Sequence, residues 1–272
     1  APVVSMAMWV RVGSADEREG EAGLAHVHEH MLFKGTSRRG VGEIAREIEA
    51  AGGGINAFTS FDHTCYYVTM SSRFFDTGLD VLSDAMRSST FDPEELEKEL
   101  EVILEEIKRG EDQPRSVHMQ RLFDLAYVAH PYGRPVIGTR ESVASFTREH
   151  ILEFYHRWYV PENVTLVIVG DVEEARVRAV IDEHLATWAQ GPGLPLQPRP
   201  MEPEQTQMRI DICGGEATEV HLAAAFHVPD MTHPDAPALD VLRLLLSYGE
   251  TSPLVERLDR ELAWVNDIAA GA

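Results

Sequence analysis

The chain has 272 residues, which exceeds one small domain, and its 44% hydrophobic and 25% charged residues are typical of a globular protein. Its net charge of −21 argues against a nucleic acid as partner, because no basic stripe is present that could neutralise phosphates. Two cysteines are too few for a disulfide scaffold or a cysteine-based zinc site, and no apolar run reaches the roughly 18 residues of a membrane span.

Strand and helix patterns alternate along residues 1–190. Short apolar runs predict strands, and apolar residues at three- and four-residue spacing predict amphipathic helices. In chain order we expect a strand at 3–12, a polar loop at 13–22, helices at 23–34 and 41–51, an antiparallel hairpin of strands at 55–60 and 64–71, helices at 73–89, 93–110, 114–129 and 147–157, a buried strand at 164–169 and a helix at 173–189.

The most informative stretch lies in the helix predicted at 23–34. His26 and His30 are four positions apart, so on a helix both imidazoles project from one face and can bind a single Zn²⁺. Glu29 precedes the second histidine, where its carboxylate can reach a metal-bound water and act as general base. The order His-x-x-Glu-His is the signature of inverted zinc peptidases. Taken alone, the pentad is also compatible with a solvated helix turn that carries histidines.

The neighbouring residues favour the metal site over that alternative. Leu24, Val27 and Met31 make the helix too apolar to be wholly exposed, so some of its polar groups should be partly buried. A buried carboxylate beside imidazoles is costly unless something pairs with it, and a metal ion would do so. His28 lies on the other side of the helix from both flanking histidines, and we interpret it as a packing or hydrogen-bonding residue.

A third metal ligand must come from elsewhere, and the helix predicted at 93–110 is rich in glutamate. Asp92 is a suitable N-cap and Pro93 fits the first helical position. Glu99 and Glu106 are seven positions apart, nearly two helical turns, and align along the flank of the apolar stripe. Most glutamates of such a helix are surface residues, so the pattern alone does not single out a ligand.

With these residues together, the chain resembles the family of pitrilysin, insulin-degrading enzyme and mitochondrial processing peptidase, in particular its bacterial processing-peptidase-like members. Members carry His-x-x-Glu-His on one helix and a glutamate ligand further along at a spacing that Glu106 matches, 76 positions after His30. The resemblance implies that His26, His30 and Glu106 hold one zinc ion per chain, that Glu29 is the catalytic base and that Glu99 supports the site. It covers most of residues 4–190, with matching segments at 23–26, 30–36, 56–60, 130–135 and 161–171.

The resemblance also implies how a peptide is held. The family strand that matches residues 56–59 is an edge of the sheet, to which the peptide adds as a further strand. Asn56 and Ala57 would then contact the substrate backbone near the scissile bond, and Phe58 could line a side-chain pocket. An ordinary hairpin with a packed phenylalanine is the alternative.

After residue 190 the composition changes and the pattern begins again. Residues 191–205 are rich in proline and glycine and predict a linker between a zinc-binding catalytic domain at 1–190 and the start of a second domain at 206–272. Residues 220–228 align with the first strand, and a helix at 239–247 aligns with the zinc helix. In this second copy Asp240, Arg243 and Leu244 stand where the first has His26, Glu29 and His30, so we expect it to bind no metal.

We therefore predict an α+β fold: a mostly antiparallel sheet covered by helices, in a tandem-repeated half-domain arrangement whose second half is truncated. Both ends of the chain open in apolar runs, so we expect further sequence beyond them. The resemblance is compatible with the bacterial cytoplasm, the periplasm and organelles, which leaves the compartment open.

The predicted activity is that of a zinc endopeptidase acting on peptides or unfolded polypeptide segments. A non-catalytic scaffold or partner subunit with the same fold is the alternative, although such subunits commonly lack part of the ligand set. We also expect a second half-domain or subunit to complete the substrate site. It could be the remainder of a longer chain, a second copy or a different subunit.

Overall fold

The structure is a computed structural model that describes residues 1–191, 193, 198–215 and 218–271. Its internal contacts divide the chain into two units, Ala1–Ala224 and Ala225–Ala272. No helix of the described residues is both long and apolar enough to cross a membrane. The domain boundaries predicted from the sequence stay a prediction.

Four antiparallel strands form one sheet in the first unit. β1 (Val3–Val10) pairs with β3 (Thr64–Ser71) and with β4 (Val164–Gly170), and β2 (Gly54–Thr59) pairs with β3. The strand order is therefore β2-β3-β1-β4, which places β2 and β4 at the edges. Alternate residues of β1 are fully buried, as expected for a sheet that is covered on one face: Val4, Met6, Met8 and Val10.

Helices cover that buried face. The longest helix begins where its capping residue predicts. The side chain of Asp92 accepts hydrogen bonds from the backbone N–H groups of Glu94 and Glu95. The helices of the first unit, within the described residues, are α1 (Leu24–Met31), α2 (Glu43–Ala50), α3 (Phe75–Ser88), α4 (Pro93–Glu111), α5 (Pro114–Ala126), α6 (Arg140–Ala144), α7 (Arg148–Trp158) and α8 (Glu174–Leu185).

The hydrophobic core lies between the inner face of the sheet and the helices packed on it. α3 contributes Phe75, Leu79 and Leu82, none of which is exposed, and α1 contributes Val27 and Met31. Burying a side chain of this size stabilises the fold by about 1.5–3 kcal/mol relative to leaving it exposed. α1 packs against α4 and α7 as well as against β2 and β3, so the helix that carries the histidines is held from several sides.

The predicted α+β class with an antiparallel sheet is confirmed, but particular elements differ. The strand predicted as buried at 164–169 is an edge strand. Among the described residues it pairs with β1 alone, and Val167 and Val169 are 41% and 67% exposed on its outer side. The predicted helices at 23–34 and 173–189 end earlier, at Met31 and Leu185. The five-residue helix α6 was not predicted, because one turn is too short to show periodicity.

The second unit contains α9 (Ala236–Ser247) and a π-helical segment, Val255–Glu261. The strand predicted at 220–228 is wrong, since these residues form no strand and Val220 and Phe226 are largely exposed. A strand requires neighbouring strands to satisfy its backbone hydrogen bonds, and the described residues from 225 onward contain no strand that could pair with it. The helix predicted at 239–247 is present within α9.

Candidate metal centre

The helix α1 begins at a glycine turn that only glycine can make easily. Gly23 has φ of 100°, and a Cβ at this position would lie 2.7 Å from the carbonyl oxygen of Ile137. The first turn is capped by a side chain from outside the helix: Gly23 N–H and Ala25 N–H donate to the two carboxyl oxygens of Glu17 at 3.0 and 2.8 Å. The orientation of α1 is therefore set at its first turn.

Three predicted ligands converge on one point. His26 Nε2 lies 3.9 Å from Glu106 Oε2, and His30 Nε2 lies 3.7 Å from the same oxygen. All three ligand atoms lie within 4.8 Å of one another. Tetrahedral zinc with bonds of about 2 Å needs donor atoms roughly 3.3 Å apart, so a small contraction of this group would accommodate the ion.

The protonation state of His26 suits a metal ligand. Burial, and then the neighbouring His30, lowers the pKa of His26 to about 4, which keeps its imidazole neutral at physiological pH. Neutral imidazole is the form that binds metals. Two nitrogens and one carboxylate oxygen form the donor set of catalytic zinc sites, which leave a further position for water. The residues present therefore fit zinc.

Glu99 lies behind His30 and is not part of the ligand group. His30 Nδ1 is 3.1 Å from Glu99 Oε2, and Lys34 forms a close ion pair with the other oxygen of Glu99. When Nδ1 donates to Glu99, the ring is oriented with Nε2 on the side of Glu106, where a metal-ligating histidine needs it. Glu99 is almost fully buried, so its position depends on these two partners. The sequence analysis did not single out Lys34, although it follows the pentad by four residues.

Glu29 projects from α1 towards the sheet. Its Oε2 accepts a hydrogen bond from Thr59 Oγ1, the last residue of β2, at 2.6 Å. The metal-ligand group does not include Glu29. Sequence reasoning missed Thr59, although the period-two pattern of β2 places its side chain on the same face as Ala57, towards the helices.

The three residues predicted to bind substrate, Asn56, Ala57 and Phe58, lie in the edge strand β2. Ala57 N–H donates to Asn56 Oδ1 at 2.9 Å, so the Asn56 amide oxygen is used locally. Phe58 is 39% exposed on the outer face, where its ring meets Trp9 edge-on with centroids 5.6 Å apart. Within the part of the chain that the structure describes, β2 pairs with β3 alone and is an edge strand of the sheet.

His28 occupies the opposite side of α1, as predicted. It is fully buried, and its ring nitrogens lie 2.8 Å from Leu24 O and 2.9 Å from Ile151 O. Its ring stacks on Tyr159 with centroids 5.4 Å apart. His28 therefore joins α1 to α7 and takes no part in the ligand group.

Comparison with known proteins shows the family of the chain. The family model of the insulinase peptidases, family M16, matches residues 1–140, and the model of the M16 inactive domain matches residues 145–272. The chain belongs to the insulinase (M16) peptidase family. The family resemblance predicted from the sequence is confirmed.

The relatives of this M16 chain are named as zinc proteases. The uncharacterized zinc protease YmxG of Bacillus subtilis is 33% identical over 263 residues, which cover 96% of this chain and 63% of YmxG. The zinc protease PqqE of Helicobacter pylori is 31% identical, over 94% of this chain and 58% of PqqE. The chain thus spans about three fifths of the length of these relatives.

Solved structures share the fold. A protease from Helicobacter pylori superposes with a TM-score of 0.85 at 29% identity, covering 96% of this chain and 64% of that protein. The periplasmic protease PqqL from Escherichia coli gives a TM-score of 0.68 at 28% identity, with 74% of this chain and 23% of PqqL covered. Each of these proteases extends well beyond the region that this chain matches.

Proposed function

We propose that this M16 chain is the zinc-binding part of a metalloendopeptidase that hydrolyses peptides or unfolded polypeptide segments. One observation carries the proposal: ligand atoms of His26, His30 and Glu106 lie within 4.8 Å of one another. Glu29, the glutamate of the His-x-x-Glu-His pentad, lies on α1 with the two histidines, one residue before His30. The zinc-protease names of the relatives support a peptidase.

The residues divide the chemistry between them. His26 Nε2, His30 Nε2 and the Glu106 carboxylate would hold one Zn²⁺, which, when bound, lowers the pKa of a coordinated water and polarises the substrate carbonyl. Glu29 accepts the proton of the attacking water and later delivers it to the leaving amine. Glu99 keeps His30 turned so that Nε2 faces the ion.

The edge strand β2 supplies the binding surface in this proposal. A peptide that adds beside β2 would form main-chain hydrogen bonds along Asn56 and Ala57, independent of its sequence. Phe58 would contact a substrate side chain on the outer face of the sheet. Extended or unfolded segments can pair in this way because their backbone N–H and C=O groups are free to form a strand ladder.

A second half-domain or subunit belongs to the proposed enzyme. The chain covers 63% of YmxG and 58% of PqqE, so the relatives contain a large region that this chain does not match. We propose that such a region, in the same chain or in another subunit, completes the substrate site. Cleavage should therefore be measured with the complete protein, whereas metal binding is a property of the present residues.

The test is the substitution Glu29→Gln, which keeps the size of the side chain and removes its basicity. We expect the variant to retain one zinc per chain, measured by mass spectrometry, and to cleave a fluorogenic peptide about 100-fold more slowly or worse. Equal cleavage by the variant would remove Glu29 from its assigned role. A wild-type protein purified without zinc, and unable to take it up, would favour the scaffold alternative.

A further inference from the structure

We infer that Thr59 is a positioning residue for the catalytic base, holding the carboxylate of Glu29 from the strand to which the substrate adds. The inference rests on the proposed function, and it goes further in assigning a role to a residue outside the signature. It is carried by one contact and by the rigidity of the residues on both sides of it.

The contact is short and involves a charged acceptor. Thr59 Oγ1 donates to Glu29 Oε2 at 2.6 Å, within the range of hydrogen bonds between a hydroxyl and a carboxylate. The same hydroxyl lies 3.5 Å from the carbonyl oxygen of Ala25, a longer second contact. Both acceptors are on α1, so the hydroxyl bridges β2 to the helix that carries the histidines.

The hydroxyl is held in place by its own strand. Thr59 pairs with Thr64 across the β2–β3 ladder, and Thr64 Oγ1 donates to Val12 O at 3.0 Å. Threonine is branched at Cβ, which restricts χ1, so the strand backbone largely sets the direction of Oγ1. The donor is therefore fixed before any substrate binds.

Glu29 needs such a support because α1 alone leaves its carboxylate free to rotate. Among the described residues, no other group forms a hydrogen bond with the carboxylate of Glu29. With Oε2 engaged by Thr59, Oε1 remains to accept the proton of the attacking water. Misplacing a reacting group by about 1 Å can reduce a rate roughly 100-fold, so a single anchoring bond has a large effect on turnover.

The position of Thr59 also ties the base to the substrate. It directly follows Phe58 on the edge strand, so a peptide paired with β2 is aligned on the same backbone that aligns Glu29. The positions of the base and of the scissile bond are then both determined by β2. This arrangement explains why a hydroxyl is useful at the inner face of β2, where Ile55 and Ala57 are apolar.

The experiment uses the complete protein with Thr59→Val and Thr59→Ser. Valine keeps the shape without the donor, and serine restores the donor. We expect Thr59→Val to lower kcat about 10- to 100-fold, with KM and zinc content within about twofold of wild type, and Thr59→Ser to recover most of kcat. Thr165→Val, which makes the same change at an exposed position of β4, should leave all three quantities unchanged.

Three outcomes of the activity and zinc measurements would overturn the inference: full kcat in Thr59→Val, no recovery in Thr59→Ser, or a loss of activity explained by lost zinc. A crystal structure of Thr59→Val provides a readout that does not depend on cleavage. We expect the Glu29 carboxylate to leave its wild-type position in that variant and to keep it in Thr59→Ser. An unmoved carboxylate contradicts the inference, whereas a wild-type protein that cleaves nothing contradicts the proposed function.

Discussion

The buried residue Glu17 lies outside the His-x-x-Glu-His pentad and caps the helix that carries it. Its side chain accepts hydrogen bonds from the N–H groups of Gly23 and Ala25, at the start of the helix that carries His26 and His30. Burial raises its pKa from 4.5 to about 8, although these two N–H groups and the charge of Arg134 act in the opposite direction. The folded protein therefore binds a proton at Glu17 more tightly than the unfolded chain does.

This raised pKa predicts how stability depends on pH. The contribution of Glu17 is fully present below pH 4.5 and is lost as the pH rises through 8. We expect the contribution of Glu17 to the free energy of unfolding, seen as the difference between wild type and Glu17→Gln, to fall between pH 5 and pH 8, by at most about 1.4 kcal/mol per pH unit. In Glu17→Gln this part of the pH dependence should disappear. The lowered pKa values of His26 and His28 act in the opposite direction below about pH 6.5, and both proteins share that effect.

Urea unfolding at several pH values measures the effect. The matched control is Glu19→Gln, two residues along and exposed, which should keep the wild-type pH dependence. If the free energies of unfolding of Glu17→Gln and wild type change in parallel from pH 5 to pH 8, Glu17 is not the responsible group.

At the scale of elements, part of the chain predicted as a linker is tied to the end of α5. The carboxylate of Glu202 accepts hydrogen bonds from three backbone N–H groups, those of Val128, Ala129 and His130, at 3.0, 2.9 and 3.0 Å. Arg209 Nη1 donates to the last carbonyl groups of α5, those of residues 125 and 126, at 2.9 and 3.0 Å. The chain after residue 198 thus supplies hydrogen-bond partners that α5 needs at its C-terminal end.

These contacts predict the behaviour of Glu202. Burial raises the pKa of its carboxyl, but the three N–H donors outweigh burial and lower it from 4.5 to about 2. Its stabilising contribution is therefore present above pH 4.5 and is lost as the pH falls through 2. In Glu202→Gln only one side-chain oxygen remains for three donors, so the amides of residues 128–130 should exchange with solvent faster.

Hydrogen exchange followed by mass spectrometry measures this on a peptide that covers residues 125–132. Glu204→Gln, exposed and two positions along, is the control and should exchange as wild type does. Unchanged exchange in Glu202→Gln would show that the segment is held by other contacts.

At the scale of the whole molecule, the candidate metal centre joins parts of the chain that are distant in sequence. His26 and His30 belong to α1, whereas Glu106 belongs to α4. An ion that binds only when both helices are in place stabilises the folded state by mass action. At a free zinc concentration 100 times its Kd, this amounts to about 2.7 kcal/mol.

Thermal unfolding with and without zinc therefore tests the ligand set. We expect zinc to raise the Tm of wild type and a chelator to reverse the increase. The increase should be lost in Glu106→Gln and kept in Glu101→Gln, which changes an exposed glutamate of the same helix. A full zinc effect in Glu106→Gln would exclude Glu106 as a ligand.

The sequence by itself determined what depends on short-range geometry. Residues three and four apart share a helix face, so the placement of His26, Glu29 and His30 on one side of α1, with His28 on the other, followed from spacing. The start of α4 at Asp92 followed from capping, and the strands of the hairpin followed from alternation. The family resemblance added Glu106 to this set, which helix periodicity could not separate from its neighbours.

Only the tertiary structure decided which distant groups meet. That Thr59 reaches Glu29, that Glu17 caps α1 and that Glu202 binds the backbone after α5 depends on how sheet and helices pack, and no local pattern encodes it. The same reason explains the failed strand at 220–228 and the exposed outer side of β4. A strand's pairing and burial are properties of its neighbours in space, and the residues of the strand do not specify them.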